Sequence, residues 1–194
     1  MMPSRDRATS RGLRGLALCI ALALAGCGAM RGRPAGPEGD RGVLAERGYA
    51  FDAQGFHQAV GEADLESVRL FLSAGMSPGT KSAEGQPAIY IAVFSGCVGR
   101  SGHTSDEFLT VLRTLIDAKA DVNARDNVGF TPLMEAAFRE CPADYLETLL
   151  AAGADPSARD KSGLTALDLA QRRKKAENVK ILKKATPKSA KRSR

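Results

Sequence analysis

Gly129-Phe130-Thr131-Pro132-Leu133-Met134-Glu135-Ala136-Ala137 and Gly163-Leu164-Thr165-Ala166-Leu167-Asp168-Leu169-Ala170 are one short text written twice, 34 residues apart. Gly85-Gln86-Pro87-Ala88-Ile89-Tyr90-Ile91-Ala92 stands 44 residues before the first and follows the same pattern more loosely. Apolar segments that end in turns lie between the blocks: Leu70 to Gly75, Leu115 to Asn123, and Leu149 to Asp155. A recurring unit of this length is one supersecondary element that cannot bury its apolar face alone, so such units stack. Leu70, Leu72, Leu112, Leu115, Leu149, Leu150, Ile181 and Leu182 supply the shared interior. Ala92, Ala136, Ala137 and Ala170 are small enough for neighbouring helices to approach closely. Thr131 and Thr165 stand where a hydroxyl can cap a helix, and Gly75 and Gly153 where a left-handed residue can end one.

The TPL of Thr131-Pro132-Leu133, the Ala pair, the Leu-Leu pair and the Gly-Ala-Asp turn together resemble the ankyrin repeat. The resemblance implies an all-α solenoid of about four stacked helix-turn-helix repeats with β-turn fingers, at about 51–81, 82–125, 126–159 and 160–184. The domain then spans 49–184. Repeat one is looser, with Phe56-His57-Gln58-Ala59 in the helix-start block, which gives His57 a structural role. Repeat two departs most: Pro87-Ala88-Ile89-Tyr90 fills that block, and about 11 extra residues separate its helices. Repeat three carries about one extra residue near Cys141-Pro142.

The family uses its finger tips and the outward positions of its first helices to hold partners, on a concave face. Carried onto this chain, the resemblance marks Glu84, Gln86, Tyr90, Phe94, Asn127, Val128, Phe130, Glu135, Phe138, Lys161 and Leu164 as candidate contacts. Phe94 and Phe138 have a second reading, in which they pack against each other across repeats. The insertion at 97–107 is a further candidate contact, because long loops in compact repeats are often functional.

Outside the repeats, Arg5, Arg7, Arg11 and Arg14 precede the apolar stretch Leu16 to Ala25, followed by Leu24-Ala25-Gly26-Cys27. A basic start, a short apolar stretch and small residues describe an export signal over 1–26. LAGC resembles the bacterial lipobox, which implies acylation of Cys27 and anchoring in the cell envelope. Gly28, in place of an Asp, points by the same resemblance to the outer membrane, facing the periplasm. Residues 27–48 are rich in Gly, Pro and Arg and read as a disordered tether. The four Cys reduce to two in a mature chain, Cys97 and Cys141. Both fall between first and second helices of neighbouring repeats, in a compartment where disulfides persist. Equivalent points on packed helices lie roughly 8–10 Å apart, whereas a disulfide wants Cα atoms within about 4.4–6.8 Å. The insertions could close that gap, so the pair is either a bridge or two half-buried thiols.

Charge divides by segment. Residues 1–26 carry four Arg and one Asp, residues 27–171 carry 13 Lys+Arg against 20 Asp+Glu, and residues 172–194 carry 11 against one. The formal +6 of the 194 residues therefore describes the ends, and no nucleic-acid partner follows from it. The tail over 185–194 reads as a solvated, disordered end, with contact to anionic lipid heads as the alternative. Trp is absent and aromatics are 5%, which leaves no stacking platform for bases.

Catalysis has little to stand on. Cys97, His103 and Asp106 sit in a Gly-rich insertion and read as a surface loop, and Gly79-Thr80-Lys81-Ser82 lacks the strand and the Gly of a phosphate loop. No metal set and no cofactor are expected. The expected function is a monomeric, non-enzymatic module that binds a protein partner from the envelope. The alternatives are an immunity protein that neutralises a secreted toxin, and a structural or stress-protective envelope component.

Overall fold

Each hairpin forms because apolar side chains recur at helical spacing between strong local stops. The computed structural model describes residues 36–99, 103–139 and 141–186. Asp52 caps α2 (Ala53–Gly61) by accepting the Gly55 N–H at 2.8 Å, and Asp64 caps α3 (Leu65–Ser73) through the Ser67 N–H at 3.1 Å. The second hairpin is α4 (Ala88–Val98) and α5 (Ser105–Asp117), where Thr104 and Glu107 form a reciprocal capping box. The third is α6 (Pro132–Arg139) and α7 (Ala143–Ala151), with the Thr131 hydroxyl accepting the Met134 N–H. The fourth is α8 (Ala166–Arg172), boxed by Thr165 and Asp168, and α9 (Ala176–Ala185).

The first helices α2, α4, α6 and α8 pack in one row, and the second helices α3, α5, α7 and α9 in another. Between the rows runs one core that includes Phe56, Phe71, Ile89, Leu112, Leu115, Leu133, Leu146, Leu149 and Leu182. This is the all-α stacked array expected. Between hairpins the chain folds into fingers, each closed by the same turn. Ser82 donates to the Gln86 carbonyl, Asp126 to that of Phe130, and Asp160 to that of Leu164. Gly75 and Gly153 end α3 and α7 at φ 94° and 92°. After α5 the equivalent place holds Lys119 at φ 69°, where a Cβ is strained.

Two differences from expectation stand out. The tether expected over 27–48 does not hold from Pro37 on, because Pro37–Glu46 forms a helix, α1. Its Leu44 is fully buried and Val43 nearly so, and α1 lies on α3 at the end of the second-helix row. Average composition hides this helix: two apolar side chains suffice because the end of a repeat array offers them an apolar face. Arg47 fixes the attachment, with guanidinium nitrogens 2.9 Å from Asp64 and 2.8 Å from Glu66. Second, the Leu70, Leu72, Leu150 and Ile181 expected in the interior are only partly buried, at its margin. The expectations on residues 1–26, on Cys27 and on the tail beyond residue 186 lie outside the described residues. Among the described residues no helix is long and apolar enough to cross a membrane.

Candidate protein-binding surface

The fingers are joined to one another by side chains that reach one repeat along. Asn127 Nδ2 donates to the Glu84 carbonyl at 2.6 Å, and Lys161 Nζ to the Asn127 carbonyl at 2.6 Å. Lys81 Nζ donates to the Arg125 carbonyl at 3.1 Å, and the Arg125 guanidinium to the Arg159 carbonyl at 2.5 Å. Asn127 and Lys161, expected as partner contacts, are thus exposed but engaged in holding the fingers in register. Glu84 is exposed, and hydrogen bonds from the Ser82 side chain and its own backbone hold its carboxyl below the usual range. Val128 is the most open apolar side chain of this surface, at 56% exposure. Gln86, Phe130 and Leu164 are half-buried at the finger bases.

Two expected contacts are not surface residues. Tyr90 and Glu135 retain 6% and 2% exposure. Burial, and next to it the charge of Glu135, pushes the Tyr90 phenol well above its ordinary range, with a hydrogen bond between the two side chains. Glu135 Oε1 also accepts from Arg139 Nε at 2.7 Å. The pair is buried because Tyr90 on α4 and Glu135 on α6 meet where those helices pack, and each satisfies the other's polar atoms. Through Glu135 the pair is bonded to Arg139.

Arg139 organises what remains open. Its guanidinium lies over the Phe94 ring at 4.7 Å and near the Phe138 ring at 5.7 Å. The Arg173 guanidinium covers Phe138 at 4.8 Å, and Arg173 Nε donates to the Phe138 carbonyl at 3.0 Å. Phe138 also meets Phe130 edge-on, with centroids 6.1 Å apart. Phe94 and Phe138 therefore do not simply stack on each other: a guanidinium stands between them, and the result is a ladder of rings and cations over α4, α6 and the α8–α9 turn. Both rings stay half-buried. Neither arginine was marked from the sequence. The one signal was the Glu135–Arg139 spacing of four on a helix, where side chains meet.

A groove of about 780 Å³ opens further along this face, between α2 and the finger that contains Lys81 and Glu84. His57, Gln54, Gln58, Lys81, Glu84 and Ile91 are among its lining residues. His57 itself is structural: both ring nitrogens face carbonyl oxygens, of Ala53 at 2.5 Å and Thr80 at 3.1 Å, so it ties α2 to the next finger.

Cys97, at the end of α4, and Cys141, before α7, form a disulfide with Cα atoms 4.8 Å apart. The approach depends on close packing around Gly96, where a methyl group would overlap the Tyr145 hydroxyl and lie 2.8 Å from Phe108 Cβ. Tyr145 donates to the Ser105 carbonyl at 2.6 Å and is fully buried, so it clamps the start of α5 to α7. With its sulfur in a bridge, Cys97 is not a thiol nucleophile. His103 instead pairs with Glu107 at 3.5 Å and rests edge-on to Phe108. Among the described residues no three His, Cys, Asp or Glu side chains gather as a metal site would require.

Two rows of helices with fingers and an open face define a repeat solenoid of the kind that recognises other proteins. The comparison with known families agrees: the model for ankyrin repeats (three copies) matches residues 56–160 and again 103–191, well over half of the chain. The chain belongs to the ankyrin-repeat family, whose repeats are protein–protein interaction modules and typically non-catalytic. It is similar to an ankyrin repeat-containing protein of Treponema pallidum (strain Nichols), 36% identical over 123 residues. The match covers 52% of this chain and 41% of that protein, so the chain spans about two fifths of its relative's length.

Proposed function

We propose that this chain is an envelope-tethered ankyrin module that holds a protein partner against the ladder of Phe94, Arg139, Phe138 and Arg173. The observation that carries the reading is the state of the two rings. Each is half-buried, fixed by a guanidinium, and presented on the face that also bears the fingers. Rigid aromatic and arginine groups that lose little freedom on binding are what interface anchors are made of. Export and acylation at Cys27 are supported by the basic start, the short apolar stretch and the LAGC tetrapeptide. Gly28 supports the outer membrane as destination.

The test uses the full chain as bait in envelope extract, beside a Phe94→Ala/Phe138→Ala variant. A saturable partner retained by the wild type and released by the variant, with an unchanged thermal melt, is the expected result. Equal retention by both would remove the ladder from the binding surface. Fractionation after a high-salt wash, with the mass of the chain read alongside, tests the tether separately: the wild type should stay with the membrane and carry acyl mass that Cys27→Ala lacks, and a wild type without that mass would overturn acylation.

A further inference from the structure

The end of the array formed by α8 and α9 carries a charge that the partner surface does not use. Between residues 172 and 184 stand seven Lys and Arg and a single acid, Glu177. Arg173 is engaged with Phe138, but Arg172, Lys174, Lys180, Lys183 and Lys184 are all exposed. Lys180, Lys183 and Lys184 follow the i, i+3, i+4 spacing and so share one face of α9. Leu182 and Asn178 occupy the opposite face, fully or nearly buried, with Asn178 Nδ2 bonded to the Cys141 carbonyl at 3.3 Å. The helix is therefore fixed in rotation, and its lysines can only point away from the protein.

We propose that this face of α9 docks on an anionic lipid surface. The chemistry separates this occupant from a protein or a nucleic acid. An interface with a folded protein draws its energy from buried aromatic, apolar or arginine anchors, and α9 contains neither an aromatic side chain nor an Arg. Among the described residues the exposed large apolar side chains are Val98 and Val128, and neither belongs to α9. Selective recognition of a nucleic acid would call for aromatic stacking or for the planar fork of Arg, and α9 carries neither. Lysine ammoniums are compact point charges on long stems. They suit headgroups that diffuse sideways and gather beneath them, each lysine contributing about fivefold in affinity, or about 1 kcal/mol. Together with an acyl chain such a face gives the two signals that stable membrane attachment needs. In that respect the inference rests on the envelope reading, but the contact itself does not need the acyl group.

The test measures flotation of the full chain carrying Cys27→Ala with vesicles of phosphatidylcholine alone or mixed with phosphatidylglycerol. Binding to the mixed vesicles, absent from the neutral ones and lost with added salt, is expected. Lys180→Gln/Lys183→Gln/Lys184→Gln should weaken it on the order of 100-fold, with the same thermal melt. Deleting residues 187–194 should leave the greater part in place. Equal binding to neutral vesicles, full binding by the triple variant, or complete loss on deleting the tail would each overturn the proposal. So would displacement from the vesicles by stoichiometric poly-glutamate or duplex DNA, since those results assign the face to an acidic chain. Because the assay lacks the acyl group, its failure leaves the Cys27 fractionation result untouched, and the reverse also holds.

Discussion

The two ends of the array are closed by different means. At the start, Tyr49, Phe51 and Phe56 surround Phe71, with centroids 5.5–6.1 Å from it, and Arg41 lies over Phe51 at 4.2 Å. Tyr49 also donates to Glu62 at 2.9 Å, so a side chain from outside the repeats is bonded into the first hairpin. At the far end, α9 buries Leu182 and Asn178 and turns lysines to water. A terminal repeat must satisfy one apolar side that has no neighbour. This chain solves the problem at one end by adding an element and at the other by making the last element polar. The first solution couples residues before the repeats to the core; the second leaves a surface open for use.

The contrast can be broken most forcefully at Phe71. Phe71→Ala should lower stability by about 3–5 kcal/mol, because a fully buried ring with aromatic neighbours leaves a cavity that cannot collapse. Urea unfolding measures it, and a loss under about 1 kcal/mol would show that the aromatic end is not one packed unit. Leu182→Ala should cost less, about 2 kcal/mol, since half of its helix already faces solvent. Hydrogen exchange in that variant should rise in α9 and not in α1; a rise at both ends would erase the distinction.

A smaller effect is set by pH. Burial works against the Asp64 carboxylate, but Arg47 and the Ser67 hydroxyl and N–H outweigh it and hold its pKa below the ordinary value. A depressed folded-state pKa means stability that is present above the unfolded value and lost as pH falls through the folded one. Amides of α1 should therefore lose protection on acidification before those of α9, and Asp64→Asn should flatten that part of the profile. The same order of loss in the variant would place the acid sensitivity elsewhere. Smallest is Lys119→Gly, which relieves a left-handed residue and should gain up to about 1 kcal/mol. It lies between the ends and should leave their difference intact in the same exchange experiment.

Much of this architecture could be read from one chain because repetition supplies its own alignment. Thr131 and Thr165, or Gly75 and Gly153, identify each other's roles without any relative. α1 escaped that reading for the same reason: Val43 and Leu44 have no counterpart in the repeats, and their surroundings of Gly, Arg and Glu average to a polar segment. The candidate surface was legible as positions but not as contacts. Register says that Tyr90 and Glu135 stand on first helices, yet their mutual burial arises between residues 45 apart, on helices whose packing distance no local pattern encodes. Asn127 and Lys161 stand exposed on the fingers. What register could not convey is that their donors reach back to the preceding finger, a choice made by side-chain length and the nearest free carbonyl.

Hairpins that touch only their neighbours can be unpicked from whichever margin frays first. The Cys97–Cys141 bond is a stitch in the middle of that cloth, joining positions 44 residues apart. Unravelling that begins at the lysine side can release α9 and α8, but the third hairpin stays laced to the second. The chain then re-zips from a seam already half closed, without searching again for its partner fold.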